Sequence, residues 1–126
     1  MLTRGFKQLL AEANAAVDTL SADAALALMD DADAVFVDVR EAGERARGFI
    51  PGSVHAARGF LEFIADPEGP MHNPALSPDK RLVLYCGSGA RSVLAAKTLH
   101  DMGFPKVCSL AGGFAAWTEA GGASGT

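Results

Sequence analysis

Cys86 opens the run Cys86-Gly87-Ser88-Gly89-Ala90-Arg91-Ser92, which gathers a sulfur nucleophile, two glycines, a cation and two hydroxyls within seven positions. The apolar stretch Leu82 to Tyr85 before it reads as a buried strand. After it, Val93, Ala96 and Leu99 recur at helical spacing, and Leu94, Ala95 and Lys97 are strong helix formers. Cys86 is therefore expected on a strand-to-helix turn, its sulfur among unpaired amides at a helix N-terminus. Amides and helix dipole favour an anion there, and for cysteine the anion is the reactive thiolate. The competing reading is a small buried hydrophobe, the usual fate of a free cysteine.

Arg91 has a pocket role in this scheme. Its guanidinium fork suits an oxyanion, or its charge lowers the cysteine pKa; the plainer alternative is a surface ion pair. Ser88 and Ser92 can donate hydroxyl hydrogen bonds to sulfur or to an oxyanion, and Ser92 could equally cap its helix. Arg58, at the start of a short helix, is a further candidate for the pocket mouth, with a solvated position as its alternative.

The elements that must position these residues alternate. A helix is expected over 2–16, with Leu2, Phe6, Leu9, Leu10 and Ala13 on one face, as an arm that packs or forms a dimer contact. A strand over 17–20 leads to a helix over 22–29 capped by Ser21. Ala34 to Val39 reads as a central strand, 41–47 as a helix ending at Gly48, and Ile50-Pro51-Gly52-Ser53 as a turn into a strand at 54–55. Another helix spans 58–65. The connection 66–80 carries Pro67, Pro70, Pro74 and Pro78, and is either a lid or pocket wall or a surface excursion. The Cys86 unit, a strand over 106–110, a Gly112-Gly113 turn and a helix over 114–120 close the domain, and 121–126 reads as a frayed, flexible tail. Strands alternating with helices predict an α/β fold: a mainly parallel sheet flanked by helices on both faces, with ligands at the carboxyl ends of its strands.

The whole chain sets bounds. Its 126 residues make one domain, and a net charge of −4 without a basic stripe excludes a nucleic-acid role. No apolar stretch reaches membrane-spanning length, and Glu12, Asn14 and Asp18 break any signal-peptide pattern. Cys86 and Cys108 form no CxxC, and His55, His72 and His100 share no ligand spacing, so neither metal nor disulfide is expected and a reducing cytoplasm is the expected compartment. Cys108 falls inside an apolar strand, Phe114 and Trp117 read as core, and Asp38 and Arg40 read as a structural salt bridge or turn-holding pair.

Four segments together resemble the rhodanese family: Val37-Asp38-Val39-Arg40-Glu41, Gly48-Phe49-Ile50-Pro51-Gly52-Ser53, Cys86 to Ser92, and Leu110-Ala111-Gly112-Gly113-Phe114-Ala115-Ala116-Trp117. The resemblance covers roughly residues 17–120 and implies a five-stranded parallel sheet between helices. It also implies a single-domain sulfurtransferase without a cofactor, in which Cys86 takes the sulfane sulfur of thiosulfate or a similar donor. The resulting persulfide anion rests on the amides of Gly87, Ser88, Gly89, Ala90, Arg91 and Ser92, then passes its sulfur to a thiol or protein acceptor. Glycine at 87 and 89 suits a backbone curled around sulfur. Phe49 stands where the family often has histidine, and Ala57 where it often has proline; both bear on substrate detail. The molecule is expected to be a monomer or homodimer. Two other functions fit parts of the pattern. Cysteine phosphatases and arsenate reductases use a similar loop with one residue more between cysteine and arginine, whereas four separate Cys86 from Arg91. Rhodanese-like domains also serve as non-enzymatic binding or regulatory modules.

Overall fold

The computed structural model describes residues 1–126. Five strands, β1 (Asp18–Leu20), β2 (Ala34–Asp38), β3 (Val54–His55), β4 (Arg81–Tyr85) and β5 (Val107–Leu110), form one sheet in the order β1-β5-β4-β2-β3. Every pairing is parallel, with Phe36 beside Val83 and Asp38 beside Tyr85. Six helices accompany them: α1 (Phe6–Ala16), α2 (Ala22–Leu26), α3 (Ala42–Arg45), α4 (Leu61–Ala65), α5 (Ala90–Met102) and α6 (Gly113–Glu119). The expected parallel sheet is present.

Alternation along β4 divides the core. Leu82, Leu84 and Cys86 face one side with Val37, Leu61, Leu99 and Phe104, against α5 and α4. Val83 and Tyr85 face the other with Phe36, Cys108, Leu110 and Trp117, where α2 and α6 pack. Each fully buried leucine among these contributes about 1.5–3 kcal/mol of hydrophobic stabilisation. Trp117 stands edge-on to Phe36 at 5.4 Å, and its indole N–H donates to the Ala123 carbonyl at 2.8 Å.

Element boundaries differ from expectation in physically simple ways. α1 starts at Phe6 because Gly5 takes an extended conformation, and of its expected apolar face only Ala13 is buried while Leu2, Phe6 and Leu9 stay exposed. α2 stops at Leu26 although Ser21 Oγ caps it by accepting the Ala24 amide at 3.1 Å. The start of the 58–65 helix is a 3-10 turn, Arg58–Phe60. Residues 121–126 run back over the domain, where Gly125 and Phe49 exchange amide–carbonyl bonds of 2.8 and 3.1 Å. No helix is long and apolar enough to cross a membrane.

Candidate active site

β4 ends one residue before Cys86, and α5 begins four residues after it, so the loop between is a short arc. Gly89, the residue before α5, sits at φ 111°, where a side chain would be strained, and an added Cβ would meet the Gly112 amide at 3.2 Å. That conformation turns the Gly89 amide inward, and it donates to Cys86 Sγ at 3.0 Å. The Ser92 amide, in the first turn of the 13-residue α5, donates to the same sulfur at 3.4 Å. Burial pushes the Cys86 thiol up, but the Ser92 hydroxyl and the Ser92, Gly89 and Ser88 amides outweigh it and hold the pKa below its ordinary value.

Two carbonyls of the arc, those of Cys86 and Gly87, are taken up by α6. Phe114 N–H donates to Cys86 O at 2.7 Å and Ala115 N–H to Gly87 O at 3.2 Å. The Ser92 hydroxyl lies 3.5 Å from Cys86 Sγ, 3.1 Å from Gly89 O and 2.8 Å from the hydroxyl of Ser109 on β5. The arc is thus a set of inward donors around a single buried sulfur atom, with Cys86 at 0 % exposure.

The rhodanese-like domain family model matches residues 21–120. The chain belongs to that family. A sulfurtransferase of Allochromatium vinosum is 33% identical over 94 residues, covering 75% of this chain and 80% of its own. The thiosulfate sulfurtransferase GlpE of Stutzerimonas stutzeri is 39% identical over 90 residues, covering 71% and 74%. A solved structure from Rhodopseudomonas palustris, described as a protein of unknown function and possible tyrosine phosphatase, is 47% identical. It superimposes with a TM-score of 0.91 over 98% of this chain and 96% of its own.

The remaining site candidates of this rhodanese-like domain divide by position. Arg91 is at the arc, but both its terminal nitrogens are engaged: they donate to Glu44 Oε1 and Oε2 at 2.7 and 2.9 Å. Arg91 holds the Glu44 carboxyl at about 2, and the pair with Glu44, followed by the nearby Cys86 sulfur, raises Arg91 above its ordinary value. The pair therefore stays ionised at any working pH. Ser92 lies inside α5, whose N-cap is Gly89, so its hydroxyl serves the sulfur and Ser109 instead of capping.

Arg58 is elsewhere. It donates to Glu62 and to Thr98 Oγ1, both at 3.1 Å, in a cleft of about 280 Å³ between α1 and α5 that Leu9, Leu94 and Lys97 also line. Thr98 is two turns along α5 from the arc, and the 3-10 turn aims Arg58 down that helix. Pro67 and Pro78 wall a cleft with Met102, Gly103 and Phe104, at the end of the sheet where β4 begins.

Cys108 faces the opposite side of the sheet from Cys86, donates weakly to Leu82 O at 3.6 Å, and has its thiol pushed up to about 11 by burial. It cannot resolve a disulfide with Cys86 without remaking the sheet. Asp38 is in register with Tyr85, so its carboxylate also points away from Cys86. There it accepts Arg40 Nε and Nη2 at 3.0 and 2.9 Å, Arg45 Nη1 at 3.2 Å and the Tyr85 hydroxyl at 3.1 Å. Arg45 and Tyr85 both reach Ser53, and Tyr85 accepts the Ile50 amide. This network fixes the turn 48–53 to the sheet. His55 Nε2 donates to Arg40 O and His72 Nδ1 to Ile64 O, which accounts for two of the three histidines.

Glu44, Ser109 and Gly113 complete the surroundings, and none was singled out from sequence as part of the site. Gly113 is where α6 touches the arc: an added Cβ would stand 2.5 Å from Cys86 O. Its signal was the Gly-Gly pair, which reads equally well as an ordinary turn. Glu44 and Ser109 carry no local signal, because their partners lie far away in the chain.

Proposed function

We propose that this domain is a sulfurtransferase that carries sulfur as a persulfide on Cys86. The observation that carries the reading is the inward set of donors around one sulfur atom, with amides of Gly89 and Ser92 on Sγ. Family membership and relatives named as sulfurtransferases support it. In the first step the Cys86 thiolate attacks the outer sulfur of a donor such as thiosulfate. The sulfur–sulfur bond of the donor breaks, sulfite departs with the bonding pair, and a persulfide anion remains. The donors that favour the thiolate then serve the terminal sulfur. An acceptor thiolate attacks that sulfur in the second step, takes it as its own persulfide, and returns Cys86 to the thiolate.

A phosphatase reading has the Rhodopseudomonas relative behind it. Against it stands the arc itself. Only four residues lie between Cys86 and Arg91, and Arg91 is engaged by Glu44. A tetrahedral phosphoryl group needs donors around three oxygens, more room than a lone sulfur requires. A paired assay decides between the two. Thiocyanate formation from thiosulfate and cyanide is expected to depend on Cys86 and vanish in Cys86→Ser, while hydrolysis of an aryl phosphate stays at background. Cys86-dependent phosphate release without thiocyanate formation would reverse the assignment.

A further inference from the structure

We infer that Glu44 is a donor-specificity residue: by occupying Arg91 it turns the site away from dianionic donors and toward organic persulfides. The inference rests on the sulfur-transfer reading of Cys86. Its basis is the ion pair at the arc. Arg91 is the cation at the arc, and each of its two terminal nitrogens gives one N–H to a Glu44 oxygen in a charge-neutralising pair. The pair lies against the loop backbone: a Cβ on Gly87 would find Arg91 Nη2 at 3.3 Å and Glu44 Oε2 at 3.8 Å.

Charge at the mouth follows directly. Arg91 and Glu44 cancel, and the Cys86 thiolate leaves one net negative charge. Thiosulfate brings two more, and its oxyanion competes with a carboxylate that already neutralises the guanidinium and holds its end-on bidentate edge. An organic persulfide, R–S–SH, has no oxyanion to place. Cys86–S⁻ attacks its outer sulfur, the donor's S–S bond breaks, R–S⁻ leaves with the bonding pair, and the proton stays with the transferred sulfur on Cys86. The arc's amides take up that sulfur with no demand on Arg91.

Glu44 is held in place for this. It sits in the first turn of α3, its Oε1 also accepts the Glu41 amide at 3.1 Å, and the capping box fixes its rotamer toward the arc. Glutamine keeps that capping acceptor and the side-chain shape while removing the charge and one of the two oxygens that hold Arg91, so Glu44→Gln releases the guanidinium without undoing the cap.

The test measures the rate at which Cys86 gains sulfur, followed by intact-protein mass spectrometry, with thiosulfate and with 2-hydroxyethyl persulfide, a donor with no oxyanion. Wild type is expected to favour the persulfide. Glu44→Gln is expected to shift the ratio of the two kcat/KM values toward thiosulfate by about tenfold, the scale of one charged hydrogen bond discounted for partial exposure, through KM for thiosulfate. Glu44→Ala is expected to shift it in the same direction, and the double variant Glu44→Gln with Arg91→Gln to lose the shift. A loss of folding quality would slow both donors together and leave the ratio unmoved. A ratio within about twofold of wild type in both single variants, or a shift that survives removal of Arg91, overturns the inference while the sulfur-transfer reading stands. If neither donor adds sulfur to wild-type Cys86, both fall.

Discussion

Gly113 and Cys86 are in backbone contact: a Cβ on Gly113 would lie 2.5 Å from the Cys86 carbonyl oxygen and 2.7 Å from the Gly87 carbonyl carbon. That proximity lets the next two amides of α6 bind the Cys86 and Gly87 carbonyls. With φ at 62°, Gly113 is also in a conformation that L side chains avoid.

Gly113→Ala is therefore expected to cost about 1–3 kcal/mol from φ alone, with more from the clash, and to disorganise the arc. Denaturant unfolding should show the loss of stability, and persulfide formation should slow by more than that loss explains. An alanine variant with wild-type stability and rate would mean that α6 does not hold the arc.

Cys86 should titrate below an ordinary cysteine, because hydroxyl and amide donors overcome its burial. The alkylation rate of the native protein is expected to reach its midpoint below about pH 8.5. The same group makes the folded state bind fewer protons than the unfolded one. Its contribution to stability is full above the unfolded pKa and fades as pH falls through the folded value. Ser92→Ala should move the alkylation midpoint upward; an unmoved midpoint would remove the hydroxyl from the account. Cys108, pushed to about 11, has the opposite sign: its contribution is full below the unfolded pKa and fades as pH rises through about 11. It should stay unlabelled in the native protein.

The fold was legible where the pattern is local. Leu82 to Tyr85, the Gly-rich arc and the helical spacing from Val93 each predict their element, and strand–helix alternation predicts the parallel sheet. What escaped depends on distant parts of the chain meeting. For Arg91 the sequence leaves an oxyanion ligand and a surface ion pair both open, and only the fold shows the partner, Glu44, 47 positions earlier. For Arg58 the sequence leaves a place at the pocket mouth and a solvated position both open, and nothing local shows that its side chain follows α5 to Thr98. The prolines of 66–80 mark a long loop without saying which end of the sheet it crosses.

Asp38 is expected to be a stability residue without contact to the reacting sulfur. Burial pushes its carboxyl up, but bonds from Arg40 and Arg45 prevail and hold it below the ordinary carboxylate range. Its stabilisation is present above about pH 4 and is lost as pH falls through the depressed folded value. Asp38→Ala leaves Arg40, itself 5 % exposed, without its partner, and should cost about 3–5 kcal/mol in urea unfolding. A loss below about 1 kcal/mol would show that the arginines find water or other acceptors.

The most direct test of the central claim is intact-protein mass spectrometry of the reduced protein, before and after a sulfane-sulfur donor and again after cyanide. A gain of one sulfur atom is expected, located on Cys86 by peptide mapping, absent from Cys86→Ser, and removed by cyanide. A wild-type mass unchanged by thiosulfate, by mercaptopyruvate and by an organic persulfide, from a protein whose Cys86 still alkylates, would contradict it.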